Sequence, residues 1–309
     1  MSDGGALGAP VPPTPGNGQS SAASRAPHAG PRIGVALGGG SARGLAHVVV
    51  LEALDELGVK PAVIAGTSMG AMCGALYAAG VPAVEIRAGF LQDLASRIAF
   101  MRRYAGRMAS GLPAVWRLRR PAALDIVTLF ELLLPDVLRA DFSSLKIPFM
   151  AIAADLGANE QVVLSRGPLI PAIAASCALP AWARPVVIEG RVLIDGGYVN
   201  PVPFDVLRGK TDATIAVDVT GDPRRTVAAG WPRQSAARWG AVQMLFHSVI
   251  REKLKAAPPD IFIQPAVGGF GSADFFRIEE ILAAAEPCRE EVKRKLAVLL
   301  ERSTCHPGS

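Results

Sequence analysis

Ala62-Val63-Ile64-Ala65-Gly66-Thr67-Ser68-Met69-Gly70-Ala71-Met72-Cys73-Gly74-Ala75-Leu76-Tyr77-Ala78-Ala79 is the stretch on which the rest of the chain turns. Its first four residues are apolar and read as a short buried strand, and the run from Ala71 onward reads as a helix of small residues. Gly66-Thr67-Ser68-Met69-Gly70 therefore falls on the turn between them. A G-x-S-x-G serine on a strand-to-helix turn is thrust outward, where its hydroxyl can act as a nucleophile. Glycine suits both flanking places because a side chain there would collide with the neighbouring strand or helix. Met69 opens the helix, whose oriented amides and partial positive charge favour an anion developing beside Ser68.

Upstream, Arg32-Ile33-Gly34-Val35-Ala36-Leu37 reads as a strand that runs straight into Gly38-Gly39-Gly40-Ser41-Ala42-Arg43-Gly44. A helix is expected over 45–57, with Val48, Leu51, Ala53, Leu54 and Leu57 as its apolar face and Gly58 as its stop. Strand, glycine turn, helix, strand, serine turn, helix is the rhythm of a right-handed crossover. That arrangement sets the two strands parallel with both turns at one sheet edge. The glycine turn lacks the third glycine of G-x-G-x-x-G, since position 43 is Arg, and no Lys-Ser or Lys-Thr follows, so it fits neither a dinucleotide nor a P-loop site. It reads instead as a run of unhindered amides for a single oxyanion.

The chain has 309 residues, half of them hydrophobic, and a net charge of +5, too mild for a nucleic-acid-binding surface. Four scattered cysteines, Cys73, Cys177, Cys288 and Cys305, suggest neither a disulfide framework nor a zinc site. Residues 1–31 are rich in Gly, Ala, Pro and Ser and read as a disordered tail, 32–302 as the folded domain and 303–309 as a flexible end. No run of eighteen apolar residues is present, so no membrane span is expected. The segment 85–120 mixes Arg87, Arg97, Arg102, Arg103, Arg107, Arg117, Arg119 and Arg120 with apolar residues. It reads as part of a helical insert or cap over 85–140, serving as a scaffold with a solvated basic face, a lid, or a foot on anionic lipid.

The α/β pattern resumes after this insert. Strands are expected at 147–153, 161–164, 186–188, 191–194, 213–219 and 260–264. Helices are expected at 126–138, 168–177, 234–255 and 277–301, the last disturbed at Pro287. The histidines offer little for a Ser-His-Asp triad. His28 and His306 lie near the ends, His47 follows the glycine turn as a core or cap residue, and His247, mid-helix, is the one serious candidate. A carboxylate acting directly as base is the other route. Asp195 closes an apolar strand in Leu193-Ile194-Asp195-Gly196-Gly197, where partial burial would raise its pKa toward a useful value. Asp155 and Asp218 also end strands and read as turn-capping residues.

Taken in order, these stretches resemble the patatin-like phospholipase family. The resemblance rests on Gly38-Gly39-Gly40-Ser41-Ala42-Arg43-Gly44, Gly66-Thr67-Ser68-Met69-Gly70 and Asp195-Gly196-Gly197 with Asn200-Pro201. Ala153-Ala154-Asp155-Leu156 and Ala175-Ser176-Cys177-Ala178-Leu179-Pro180 add to it. It covers about residues 32 to 220 and is nearest to small bacterial members with a single such domain. It implies a three-layer α/β/α fold with a mainly parallel sheet, and a Ser-Asp dyad that cleaves fatty-acyl esters without histidine, metal or cofactor. Carried over by position, Ser68 is the nucleophile and Asp195 the base. Gly38, Gly39 and Gly40 lie at the oxyanion hole, and Met69 and Arg43, the latter at the family's basic position, are expected with them among the oxyanion- or substrate-binding residues. The substrate would be a lipid or other acyl ester, with no nucleic acid partner and no expectation about oligomeric state. The location would be cytoplasmic, with peripheral contact to an anionic inner membrane left open. The alternative is a catalytically weak, membrane-associated lipid-binding or regulatory protein on the same fold.

Overall fold

A computed structural model describes residues 30–94, 125–180, 182–221 and 234–305. Most of the expected tail, most of the arginine-rich segment (95–120) and the last four residues lie outside the described residues. Strands β1 (Ile33–Leu37) and β2 (Val63–Thr67) are fully buried apolar runs, as suits strands covered on both faces. They pair in parallel with Leu37 opposite Gly66, so the glycine turn and the serine turn leave the sheet at the same edge. Between them, a 3₁₀ turn at Ser41–Ala46 leads into helix α1 (His47–Glu56), and Gly58 at φ 64° ends it. Leu57, expected in the core, is instead exposed.

Strand β3 (Phe149–Asp155) lies parallel to β2 on its other side, and β7 (Ala213–Val217) and β8 (Ile261–Ile263) extend the parallel part beyond β1. The hairpin partner β4 (Glu160–Leu164) and the strands β5 (Val186–Ile188) and β6 (Arg191–Asp195) make the antiparallel flank. The resulting eight-stranded order is β5-β6-β3-β2-β1-β7-β8, with β4 also on β3. The turn joining β5 to β6 has Glu189 at φ 50° and Gly190 at φ 78°, the paired left-handed conformation that tight hairpins require.

Helices cover both sheet faces unequally. The larger core lies between one face and α1, α2 (Met69–Ala78), α3 (Ala83–Leu94), α4 (Ile126–Leu133), α5 (Leu169–Ser176), α7 (Ile278–Ala285) and α8 (Pro287–Cys305). A smaller core on the opposite face joins Ala36, Ala65, Met150 and Ala216 to Phe204, Leu207 and Ile250 of α6 (Gln234–Ala256). This is a mixed α/β, three-layer architecture around a mostly parallel sheet, as expected. The helix expected over 126–138 stops at Leu133 because Pro135 cannot continue it, and Leu138 reaches the core from a 3₁₀ turn instead. The final helix is interrupted at Glu286-Pro287, where the chain divides into α7 and α8.

The serine turn is the tightest junction in this frame. A Cβ on Gly70 would sit 2.1 Å from the Leu37 carbonyl oxygen, and one on Gly66 would sit 2.5 Å from that of Gly70. Both neighbours are backbone and cannot rotate away. Gly70→Ala is therefore expected to destabilise the fold by about 2–4 kcal/mol, in the manner of a forced overpacking, as read by urea denaturation.

Candidate active site

Ser68 stands between the last residue of β2 and the first of α2 with φ 54° and ψ −122°, a conformation costly for any residue with a side chain. The surrounding structure holds it there. Its backbone N–H donates to the Ser176 hydroxyl at 2.9 Å, and Ser176 in turn donates to the Ile152 carbonyl at 2.6 Å. The preceding residue is tied down as well, since the Thr67 hydroxyl donates to the Asn200 carbonyl at 2.8 Å.

Asp195 is the last residue of β6 and sits opposite Ala153 of β3, one strand from the serine turn. The 127 positions that separate it from Ser68 in the chain are closed by the sheet: both residues line one cavity, and the Ser68 hydroxyl is near enough to favour the ionised carboxylate. The Gly197 N–H donates to Oδ1 at 2.7 Å. Burial is the largest influence on this carboxyl and pushes its pKa up to about 6, against the stabilising bonds from Gly197 and Ser68. At neutral pH it is ionised yet basic enough to accept a proton. Asp155 and Asp218 do cap turns: the first accepts from Gly157 and Ala158, the second from Thr220 and Gln264.

The glycine turn is more specific than a run of free amides. Gly38 N–H is committed to the Val217 carbonyl and Gly39 N–H to that of Pro201, each at 2.9 Å. The next two amides, those of Gly40 and Ser41, make no such bond among the described residues, nor does Met69 N–H in the first turn of α2. Ser41 takes φ 51° and lines the same cavity as Ser68, a role that sequence reading missed. Gly39 instead provides clearance, because a Cβ there would press on Ser68 Cβ at 3.3 Å.

Two buried bases brace the turn from behind. His47 Nε2 donates to the Gly38 carbonyl at 2.7 Å, and burial lowers its pKa to about 4, so the ring is neutral at physiological pH. Arg43 departs from its expected place at the substrate. Its guanidinium is buried and donates to the carbonyls of Val219 and Phe270, each at 3.1 Å, and it does not line the cavity. Burial lowers its pKa to about 10, so it stays charged and fixes the loop after β7 against the glycine turn.

The pair Ser68 and Asp195 opens into a cavity of about 480 Å³, within the range of small-molecule sites. Its walls are chiefly apolar, with Met69 and Met72 of α2, Phe90 and Leu94 of α3 and Phe130 of α4 among them. No histidine lines it among the described residues. His247, on α6, does not line this cavity, and no interaction joins it to Asp195 among those that shift the carboxylate. No described helix is long and apolar enough to cross a membrane.

The sequence matches the family model described as patatin-like phospholipase over residues 35–208, a span that includes the glycine turn, Ser68 and Asp195. The chain belongs to the patatin-like phospholipase family. It is 37% identical over 209 residues to an uncharacterized NTE family protein of Mycobacterium tuberculosis, covering 65% of this chain and 54% of that protein. It is 26% identical over 297 residues to lysophospholipase NTE1 of Pyricularia oryzae, covering 86% of this chain and 19% of the fungal protein. The chain thus spans about half the length of the mycobacterial relatives and about a fifth of the fungal one. The crystal structure of VipD from Legionella pneumophila aligns at TM-score 0.44 and 13% identity, over 85% of this chain and 66% of that one.

Burial of Asp195 has a measurable consequence for stability. Between about pH 4 and 6 the folded chain keeps a proton on this carboxyl that the unfolded chain has released, so its contribution to stability declines as pH rises through that window. Asp195→Asn removes the decline while keeping an acceptor for Gly197. The variant should match the parent near pH 4 and exceed it by roughly 3 kcal/mol at pH 7. Chemical denaturation of both proteins across this range measures the difference.

Proposed function

We propose that this chain is a serine acyl hydrolase of the phospholipase A, lysophospholipase or esterase type, acting on fatty-acyl esters of lipids through Ser68 and Asp195. The observation that carries this reading is the pairing of a strained, outward serine with a buried carboxylate of pKa about 6 at the end of an apolar cavity. Membership of the patatin-like phospholipase family and likeness to a fungal lysophospholipase support the substrate class.

In the first half-reaction Asp195 takes the Ser68 proton as the Ser68 oxygen bonds to the ester carbonyl carbon. Negative charge moves onto the carbonyl oxygen, which the Gly40, Ser41 and Met69 amides stabilise; one such donor is typically worth about 3–4 kcal/mol. As the tetrahedral intermediate collapses, Asp195 returns the proton to the departing alcohol, leaving Ser68 acylated. Water then enters, gives a proton to Asp195 and attacks the acyl carbon. Collapse frees the fatty acid, and the proton returns to Ser68. Neither step requires a metal or a cofactor. The apolar walls hold the acyl chain and exclude water from the dyad, which strengthens each polar contact inside.

Ser68→Ala and Asp195→Ala are each expected to lower kcat/KM for a p-nitrophenyl acyl ester by at least about 10³-fold while circular dichroism stays that of the parent. Fluorophosphonate should label the parent and not Ser68→Ala. Normal turnover by Asp195→Ala would remove the carboxylate from the mechanism. Because the base must be ionised, log kcat/KM should rise with pH and level off above about pH 6.

A further inference from the structure

The β2–β3 ladder ends on an interruption at the residue that matters most. Ile64 N–H donates to the Pro148 carbonyl, and parallel ladders repeat their bonds every second residue. With Thr67 opposite Ile152, the acceptor next in line for Ser68 N–H is the Ile152 carbonyl. That direct rung is replaced by two bonds in series, from Ser68 N–H to the Ser176 hydroxyl and from that hydroxyl to Ile152. Ser176 is the last residue of α5 and is fully buried. The spliced hydroxyl holds Ser68 farther from β3 than a regular rung would, at the point where the chain departs into φ 54°.

The same carbonyl also locates the other member of the pair. A Cβ on Gly196 would lie 2.2 Å from Ile152 oxygen, so the backbone just after Asp195 rests on it. Asp195 N–H donates to the Ala178 carbonyl at 3.0 Å, two residues beyond Ser176. Ser68 and Asp195 are thus both gauged from Ile152 and the end of α5.

We infer that Ser176 is a positioning residue whose hydroxyl, inserted into the last β2–β3 rung, sets the height of Ser68 relative to Asp195. This rests on the reading of Ser68 as nucleophile. Without the hydroxyl, Ser68 N–H either closes directly onto Ile152, drawing the nucleophile back toward the sheet, or stays buried and unpaired. Both outcomes misplace Ser68, and an error near 1 Å in a reacting group can cost about 10²-fold in rate. Substrate contacts are untouched, because the acyl chain is held by the cavity walls.

The test compares the parent with Ser68→Ala, Ser176→Ala, Ser176→Cys and Ser176→Thr in p-nitrophenyl ester kinetics and in the rate of fluorophosphonate labelling. Ser176→Ala is expected to lower kcat and the labelling rate by about 10²-fold with KM unchanged. Ser176→Cys keeps the shape but offers only weak hydrogen bonding and should also lose most of kcat. Ser176→Thr keeps the hydroxyl and should recover more activity than Ser176→Cys. If Ser176→Ala does not fold, Ser176→Cys decides the matter. Parental kcat and labelling rate in a folded Ala or Cys variant would overturn the positioning role. Full activity in Ser68→Ala would instead overturn the nucleophile assignment, whatever the Ser176 variants do.

Discussion

The closest constraint among the described glycines is the contact between α2 and the end of β1, where Gly70 lies against the Leu37 carbonyl with no room for a methyl group. This approach brings the N-terminus of α2 down onto the glycine turn. It also forces the chain to leave β2 abruptly, so that Ser68 takes a backbone conformation that side chains ordinarily avoid. Strain of this kind persists only where the surroundings over-determine it. Here Gly66 and Gly70 allow the approach, the Ser176 hydroxyl receives the displaced N–H, and Thr67 is tied to Asn200.

Around that junction the sheet changes character. On one side of β2 the strands run parallel, and β1 places its glycine turn at the same edge as Ser68. On the other side β6 runs antiparallel to β3 and carries Asp195 inward, opposite Ala153, instead of leaving it at an outer edge. The reversal explains the burial of the carboxylate and, through burial, its raised pKa. A group that destabilises the neutral-pH fold is thus kept at the cavity wall, the kind of stability cost that polar groups in functional sites commonly carry.

Behind the site, charged and polar groups serve as braces. Arg43 and His47 spend their donors on backbone carbonyls of the loops that shape the glycine turn. Asn200 receives the Lys253 ammonium on its side-chain oxygen and donates to Asp205 at 2.9 Å, so α6 secures the loop after Asp195 from the opposite face. These bonds fix the loops on which Ser68 and Asp195 stand.

Much of this was legible in local sequence. The apolar runs before Gly38 and Gly66, the glycine stop at Gly58 and the Glu189-Gly190 hairpin each carry their own short-range physics, and the structure forms them where that physics puts them. The placement of Ser68 and Asp195 was legible for the same reason, each standing at the end of an apolar strand beside glycine. What only the tertiary structure decided are matters of pairing. Whether a glycine N–H is free depends on which carbonyl arrives from Val217 or Pro201, and this moved the unpaired amides to Gly40 and Ser41. Arg43 looked like a substrate contact until the loop after β7 supplied carbonyls to bury it. Ser176 stood in a stretch that carried the family resemblance, but nothing local assigned it a role, because its significance lies in a missing rung between two other strands. Hydrophobic period and turn chemistry act over a few residues and can be read in order; hydrogen-bond partners 24 or 108 positions away are settled only when the chain has closed on itself.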